Sequence, residues 1–204
     1  MNLLAHIYLS GSDEQIKIGN FIGDYVKGRA YRRFDPLVSK GIVLHRNIDS
    51  FTDHHPTPRE VKKLLRPHYR KYAGIVVDLF YDHYLSNYWP TYSNTSLSSF
   101  IENFHDILER HYAILPSAVQ EFVPRMIRKN RLHSYVTLEG VEQALQIMAR
   151  YTSLPEKTPQ AMQVLSDHYE RIGHNFREFF PHIMEHVSEN HRVDVEYYQL
   201  WGES

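Results

Sequence analysis

The chain of 204 residues contains no cysteine. Disulfide bonds, thiolate zinc sites and cysteine nucleophiles are therefore excluded, and the lack of disulfides fits a reducing cytoplasm. No apolar run approaches the roughly 18 residues of a membrane span, and the first residues show no basic segment followed by a small-residue cleavage site. We therefore expect a cytoplasmic protein without a membrane partner.

The sequence also has almost no net charge. Its 23 Lys and Arg residues are balanced by 24 Asp and Glu residues, which leaves −1, so any electrostatic recognition must be local. Glycine-rich phosphate loops, H-E-x-x-H and G-x-S-x-G are absent. Without an overall basic excess, nucleic acid is not an expected ligand.

What the sequence does have is helical periodicity, 14 histidines and 15 tyrosines. Apolar residues make up 42% of the chain, enough for a core. Strand alternation and repeats are not evident. We predict an all-α, single-domain helical bundle over residues 1–204, in which about the last 15 residues can fray.

The helix predictions rest on apolar spacing and proline positions. Residues 91–100 are predicted as a loop, Thr57 as a helix cap, and Pro181 as the end of the last helix. The predicted helices are 14–27, 36–53, 59–66, 68–89, 100–115, 138–151 and 161–180.

Three of these helices carry a short polar stripe, since residues four apart share a helix face. The stretch HRNIDSFTDHH at 45–55 places His45, Asp49 and Thr52 on one face, with Asp53 at its edge. The other stripes are Asp78 with Asp82, followed by His83, and Asn20 with Asp24. Gly23 is expected to leave room beside the last pair, and His6 precedes all of these residues.

The residue types in these stripes indicate metal ligands. Asp, Asn and His are poor helix formers, whereas solvated stripes normally use Lys and Glu. Inward-facing stripes of a bundle can hold a metal ion, although three solvated faces remain the alternative. Ligands of this kind suit Mn²⁺, Mg²⁺, Fe²⁺ or Zn²⁺, which polarise phosphoryl oxygens. Arg46, next to the stripe, could pair with phosphate.

Basic residues cluster at 59–71 and again at 125–131. Each cluster is either a solvated face or a docking surface for an acidic partner or a phosphate-bearing substrate.

Four ordered motifs carry a family resemblance: MNLLAH, GNFIGDYVKG at 19–28, HRNIDSFTD at 45–53 and DLFYDHYLSNYW at 78–89. Together they resemble the acyl carrier protein phosphodiesterase family, also called acyl carrier protein hydrolase. The resemblance implies an all-helical, divergent relative of HD-type metal-dependent phosphohydrolases with a rearranged helix order. The adjacent pair here is Asp82-His83, the reverse of the HD order, so no residue is carried over from that superfamily.

The resemblance implies removal of 4′-phosphopantetheine from holo acyl carrier protein, with Mn²⁺ as the first choice of metal. It implies the metal-ligand set Asp24, His45, Asp49, Asp78, Asp82 and His83. It implies catalytic roles for His6, His45, Arg46 and His83, with Asn20 and Asp53 in support. Arg46 would offset charge on the phosphate, and His83 or His45 would protonate the departing serine oxygen. The docking candidates are Lys62, Lys63, Arg66 and Arg70.

Two other functions stay open on the sequence alone. One is a metal-dependent phosphohydrolase acting on a small phosphoester or nucleotide. The other is a helical binding protein without catalysis. His54 and His55 are predicted to lie in a loop outside the site, and residues 91–204 carry no functional motif.

Overall fold

Helices joined by short turns make up the structure, a computed structural model that describes residues 1–195 and contains no β-strand within them. The helices are α1 (Leu3–Tyr8), α2 (Glu14–Phe21), α3 (Pro36–His54), α4 (Pro56–Tyr69), α5 (Ala73–Asn87), α6 (Trp89–Tyr92), α7 (Leu97–Arg110), α8 (Ser117–Arg128), α9 (Arg131–Ser134), α10 (Leu138–Tyr151), α11 (Thr158–Asp167) and α12 (Tyr169–His191). The predicted all-α, single-domain fold is confirmed. The HD-like helix order stays a prediction, and the predicted fraying falls mainly on residues 196–204, outside the described residues.

Several predicted helix ends are wrong because local backbone geometry overrides the apolar pattern. α2 ends at Phe21, and a 3₁₀ turn follows at Gly23–Tyr25. α5 begins only at Ala73, since Arg70 has a φ of 49°, which a continuing helix does not allow.

Two caps also differ from the prediction. His55, not Thr57, caps α4: its Nδ1 accepts the Thr57 N–H at 3.3 Å, and Pro56 takes the first helical position. α7 begins at Leu97, within the predicted loop, because the Ser96 hydroxyl accepts the Ser99 N–H at 3.0 Å.

The last long helix was predicted with the wrong bounds at both ends. His168, with φ −122° and ψ 23°, separates α11 from α12. α12 continues through Pro181 to His191. An interior proline removes one helical hydrogen bond, and the packing of α12 on α3, α4 and α5 keeps the helix intact.

α2 and α3 pack with almost no side chain between them. A Cβ atom at Gly19 would lie 2.0 Å from the Val38 carbonyl oxygen, and one at Gly41 would lie 2.2 Å from that of Ile16. Only glycine permits this approach. It brings the last turn of α2 against the first half of α3, just before the polar stripe that begins at His45.

α5 runs through the middle of the fold, and nearly all of its residues from Val76 to Ser86 are buried. Such all-round burial is typical of a central helix. Asn175 of α12 ties α5 to α4, since it accepts the Tyr81 hydroxyl and donates to the Thr57 carbonyl at 2.9 Å. In the described part of the chain, no helix combines the length and apolarity needed to cross a membrane.

Candidate metal centre

Two histidines from different helices stack beside each other. The rings of His6 in α1 and His45 in α3 are 4.1 Å apart and inclined by 18°. Both side chains are buried, with 3% and 7% of their surface exposed. The close packing of α2 on α3 and of α1 on α2 brings them together.

Asn20 of α2 fixes the orientation of both rings. Its side-chain amide donates to the His6 carbonyl at 2.8 Å and to Ser10 Oγ at 2.9 Å, so its Oδ1 faces His6 Nδ1 at 2.8 Å. Its main-chain carbonyl lies 2.8 Å from His45 Nδ1. Oxygen acceptors require that both Nδ1 atoms carry hydrogen. In neutral rings, both Nε2 atoms therefore present lone pairs.

Two carboxylates complete the cluster around these Nε2 atoms. Asp49, one turn after His45, places Oδ1 3.1 Å from His6 Nε2 and Oδ2 3.3 Å from His45 Nε2. Asp24, from the turn after α2, lies 3.4 Å from His45 Nε2 and is 77% exposed. His6, His45 and Asp49 each offer a ligand atom within 4.8 Å of the others.

The charges in this cluster are tightly coupled. Burial lowers the pKa of His6 to about 4, so its ring is neutral. Burial also acts against the His45 imidazolium, but contacts with Asp24 and Asp49 outweigh it and raise the pKa of His45 to about 9. Burial likewise opposes the charge on Asp49, yet hydrogen bonds with His45 and His6 hold the pKa of that carboxyl far below its usual range.

This donor set fits a divalent cation. The neutral His6 Nε2 and the Asp49 carboxylate face each other as two acceptors, which only a shared cation or proton can satisfy. His45 Nε2 is buried and makes no well-aligned hydrogen bond, although carboxylate oxygens of Asp24 and Asp49 lie 3.4 and 3.3 Å from it. Nδ1 atoms held by oxygen acceptors are the usual support for imidazole ligands. Two imidazoles with carboxylates suit the borderline and hard divalent ions.

Asp78 of α5 lies at the edge of this cluster. Its Oδ1 is 3.1 Å from the amino group of Met1, which is also 3.4 Å from Asp49 Oδ1. Burial raises the pKa of Asp78. The carboxylate is thus linked to the cluster through the ammonium group.

The structure does not bring Asp82 and His83 into the cluster. The Asp82 oxygens accept the N–H groups of Leu4 and Ala5 at 2.8 and 3.0 Å, at the start of α1. His83 points to another side of α5, where its Nδ1 is 2.8 Å from the Tyr135 carbonyl and its Nε2 2.9 Å from the Tyr169 hydroxyl.

The remaining predicted site residues of α3 point elsewhere. Arg46 donates to the Val26 carbonyl at 2.7 Å and lies over the Tyr31 ring. Thr52 is buried and donates to the Ile48 carbonyl. Asp53 pairs with Lys62 at 2.6 Å. His54 ends α3 and is exposed, rather than forming a loop.

Aromatic residues that the sequence did not single out line a cavity of about 110 Å³ beside His6 and His45. They are Phe21, Tyr25 and Phe122. Phe122 belongs to α8, so the second half of the chain contributes a wall of the site. Phe122 is too far along the chain from the motifs for residue spacing to place it at the site. Tyr25 directly follows Asp24, so its position in the sequence was a usable signal.

Comparison with known proteins gives a consistent family match. The model of the family described as "Acyl carrier protein phosphodiesterase" matches residues 1–183. Curated proteins named acyl carrier protein phosphodiesterase match as well. The one from Photorhabdus laumondii subsp. laumondii is 32% identical over 189 residues, covering 91% of this chain and 94% of the relative.

Two further relatives carry the same name. The protein from Escherichia coli O6:H1 is 31% identical over 192 residues, which cover 92% of this chain and 98% of the relative. The protein from Enterobacter sp. (strain 638) is 30% identical, with coverages of 90% and 96%. No solved structure matches the chain significantly.

Proposed function

The chain belongs to the acyl carrier protein phosphodiesterase family, and we propose that it is a metal-dependent enzyme that releases 4′-phosphopantetheine from holo acyl carrier protein. The observation that carries the metal dependence is the convergence of two imidazole Nε2 atoms on Asp49, with both Nδ1 atoms held by Asn20.

The proposed ligands are His6, His45 and Asp49, with Asp24 on the solvent side. Mn²⁺ is the first choice, and Mg²⁺, Fe²⁺ or Zn²⁺ are the alternatives. When bound, such an ion polarises a phosphoryl oxygen and lowers the pKa of water. Asp82 and His83 have other partners and are left out of the ligand set.

Hydrolysis forms a bond between a water oxygen and phosphorus and breaks the bond between phosphorus and the serine oxygen, which takes up a proton. The chain's own residues contribute to this step by orienting the side chains of the site. Asn20 keeps the Nε2 atoms directed at one point, and Asp49 contacts both rings. Phe21, Tyr25 and Phe122 line the cavity beside His6 and His45. Arg46 would have to leave the Val26 carbonyl to reach a phosphate.

The test is the mass of the carrier protein. Purified enzyme with holo acyl carrier protein and Mn²⁺ should reduce the substrate mass by that of the arm, and His45→Ala or Asp49→Ala should lower kcat by at least about a hundredfold. His174→Ala is the matched control, since His174 is exposed on α12 and lies outside the cluster.

A panel of small phosphoesters and nucleotides separates the alternative function. Turnover of a small ester without turnover of the carrier protein would contradict the proposed substrate. Full activity of both cluster variants would contradict the proposed site. If the protein binds no divalent ion and turns over no substrate, the result would favour a helical binding protein without catalysis.

A further inference from the structure

A basic groove lies next to the metal centre. It has a volume of about 630 Å³, and its charged lining consists of Asp53, Arg59, Lys62, Arg66, Arg70 and Lys71. Five cations thus share the groove with one carboxylate, in a chain whose net charge is −1. The sequence-based docking set needs revision: Lys63 lies outside this lining and pairs with Glu60 at 2.6 Å.

Within the groove, Lys62 differs from the other cations. It is 8% exposed, and its Nζ lies 2.6 Å from Asp53, so its charge is already offset. Arg59, Arg66 and Arg70 are exposed and form no ion pair with any of residues 1–195. These cations repel one another, and an anionic occupant would relieve that repulsion.

The backbone conformation of Arg70 supports a role of these cations in binding. Arg70 has a φ of 49°, a conformation that favours glycine, at the junction of α4 and α5. Non-glycine residues in such conformations are concentrated at ligand-binding and catalytic positions. The turn places Arg70 and Lys71 in the same groove as Arg59 and Arg66.

The position of the groove connects it to the metal centre. Asp53 follows Asp49 by four residues on α3, and Gly74 precedes Asp78 by four residues on α5. The groove therefore begins about 6 Å, or four residues, from Asp49 along α3 and from Asp78 along α5. An occupant of the groove lies beside the reacting group.

The spacing of the groove cations also indicates how large the occupant must be. Arg59 and Arg66 are separated by about 10 Å along α4, so a phosphodiester held at the metal centre cannot satisfy both. The occupant must carry several further negative charges. We propose that the groove binds an acidic surface of the protein substrate, an inference that rests on the proposed function and names Arg59, Arg66, Arg70 and Lys71 as the contacts.

The experiment reverses charge inside the groove and outside it. Arg59→Glu with Arg66→Glu changes two exposed groove cations. The control, Arg150→Glu with Lys157→Glu, makes the same change on exposed residues outside both basic clusters, at the end of α10 and just before α11. Kinetics are measured with holo acyl carrier protein and with bis(4-nitrophenyl) phosphate, and binding of arm-free acyl carrier protein is titrated separately. Circular dichroism verifies that each variant is folded.

We expect the groove variant to raise KM for the carrier protein by about tenfold or more and to weaken binding of the arm-free protein equally. Its turnover of bis(4-nitrophenyl) phosphate should stay within about twofold, and its remaining activity should depend less on salt. The control variant with Arg150→Glu and Lys157→Glu should behave as wild type.

Several results would overturn the docking proposal. One is an equal KM for the carrier protein in the groove variant and the control variant. Another is an equal loss of the groove variant's activity on both substrates. The third is inhibition of the wild type by an oligonucleotide at a lower concentration than by arm-free carrier protein. The proposed function fails separately, if the wild type binds carrier protein but does not release its arm. Binding that the groove variant abolishes would then still support the docking surface.

Discussion

At the scale of single residues, the centre depends on how protons are distributed between two histidines. His6 is neutral because burial lowers its pKa to about 4. His45 keeps a proton that Asp24 and Asp49 hold against burial, with a pKa of about 9. A metal ion bound at the proposed centre would therefore compete with this proton for His45 Nε2.

This competition predicts the pH dependence of metal binding. Between pH 7 and 9, binding of Mn²⁺ should release about one proton, and the affinity should rise about tenfold per pH unit until His45 is neutral. His6 contributes no proton in this range. Calorimetric titration in buffers of different ionisation enthalpy measures the proton number. Proton release that persists in His45→Ala would contradict the assignment.

At the scale of helices, Asp82 joins α5 to the start of α1 by accepting two N–H groups. The Asp82 carboxylate thus accepts two of the N–H groups that have no partner within the first turn of a helix. Since α1 carries His6, this contact positions a proposed ligand without being one.

Asp82→Ala should therefore lower the free energy of unfolding by about 2–4 kcal/mol, because two buried N–H groups lose their acceptor. Below its melting temperature, the variant should bind Mn²⁺ within about tenfold of the wild-type affinity. Denaturant unfolding and metal titration measure the two quantities. Unchanged stability together with lost metal binding would instead make Asp82 a ligand.

The same scale shows what the sequence could and could not predict. Helix periodicity was enough for α3 and α10, and four-residue spacing correctly paired His45 with Asp49. Gly23 was correctly expected to leave room, since a Cβ there would lie 2.3 Å from His45 Cγ. The partners of Asp82 are 77 and 78 residues away, and spacing within one helix holds no information about such contacts.

At the scale of the whole molecule, the second half of the chain holds the first half in place. α12 covers α3, α4 and α5, and its Asn175 joins Tyr81 of α5 to the Thr57 carbonyl of α4. These contacts link segments 94 and 118 residues apart. The two halves should therefore unfold together.

Asn175→Ala should lower the free energy of unfolding by about 2–4 kcal/mol, because the buried Thr57 carbonyl and Tyr81 hydroxyl lose their partner. Unfolding should remain a single transition by fluorescence and circular dichroism. Asn190→Ala, on the same helix but exposed, should change stability by less than about 0.5 kcal/mol. Separate transitions of the two halves would contradict this coupling.

Asn20 holds His6 with its side chain and His45 with its main-chain carbonyl. A substitution at position 20 can therefore remove only the first of these anchors, because every amino acid supplies the second. An evolving or engineered chain that loses this asparagine would keep His45 oriented while His6 becomes free to turn. A substitution at position 20 would thus change the proposed metal centre one histidine at a time.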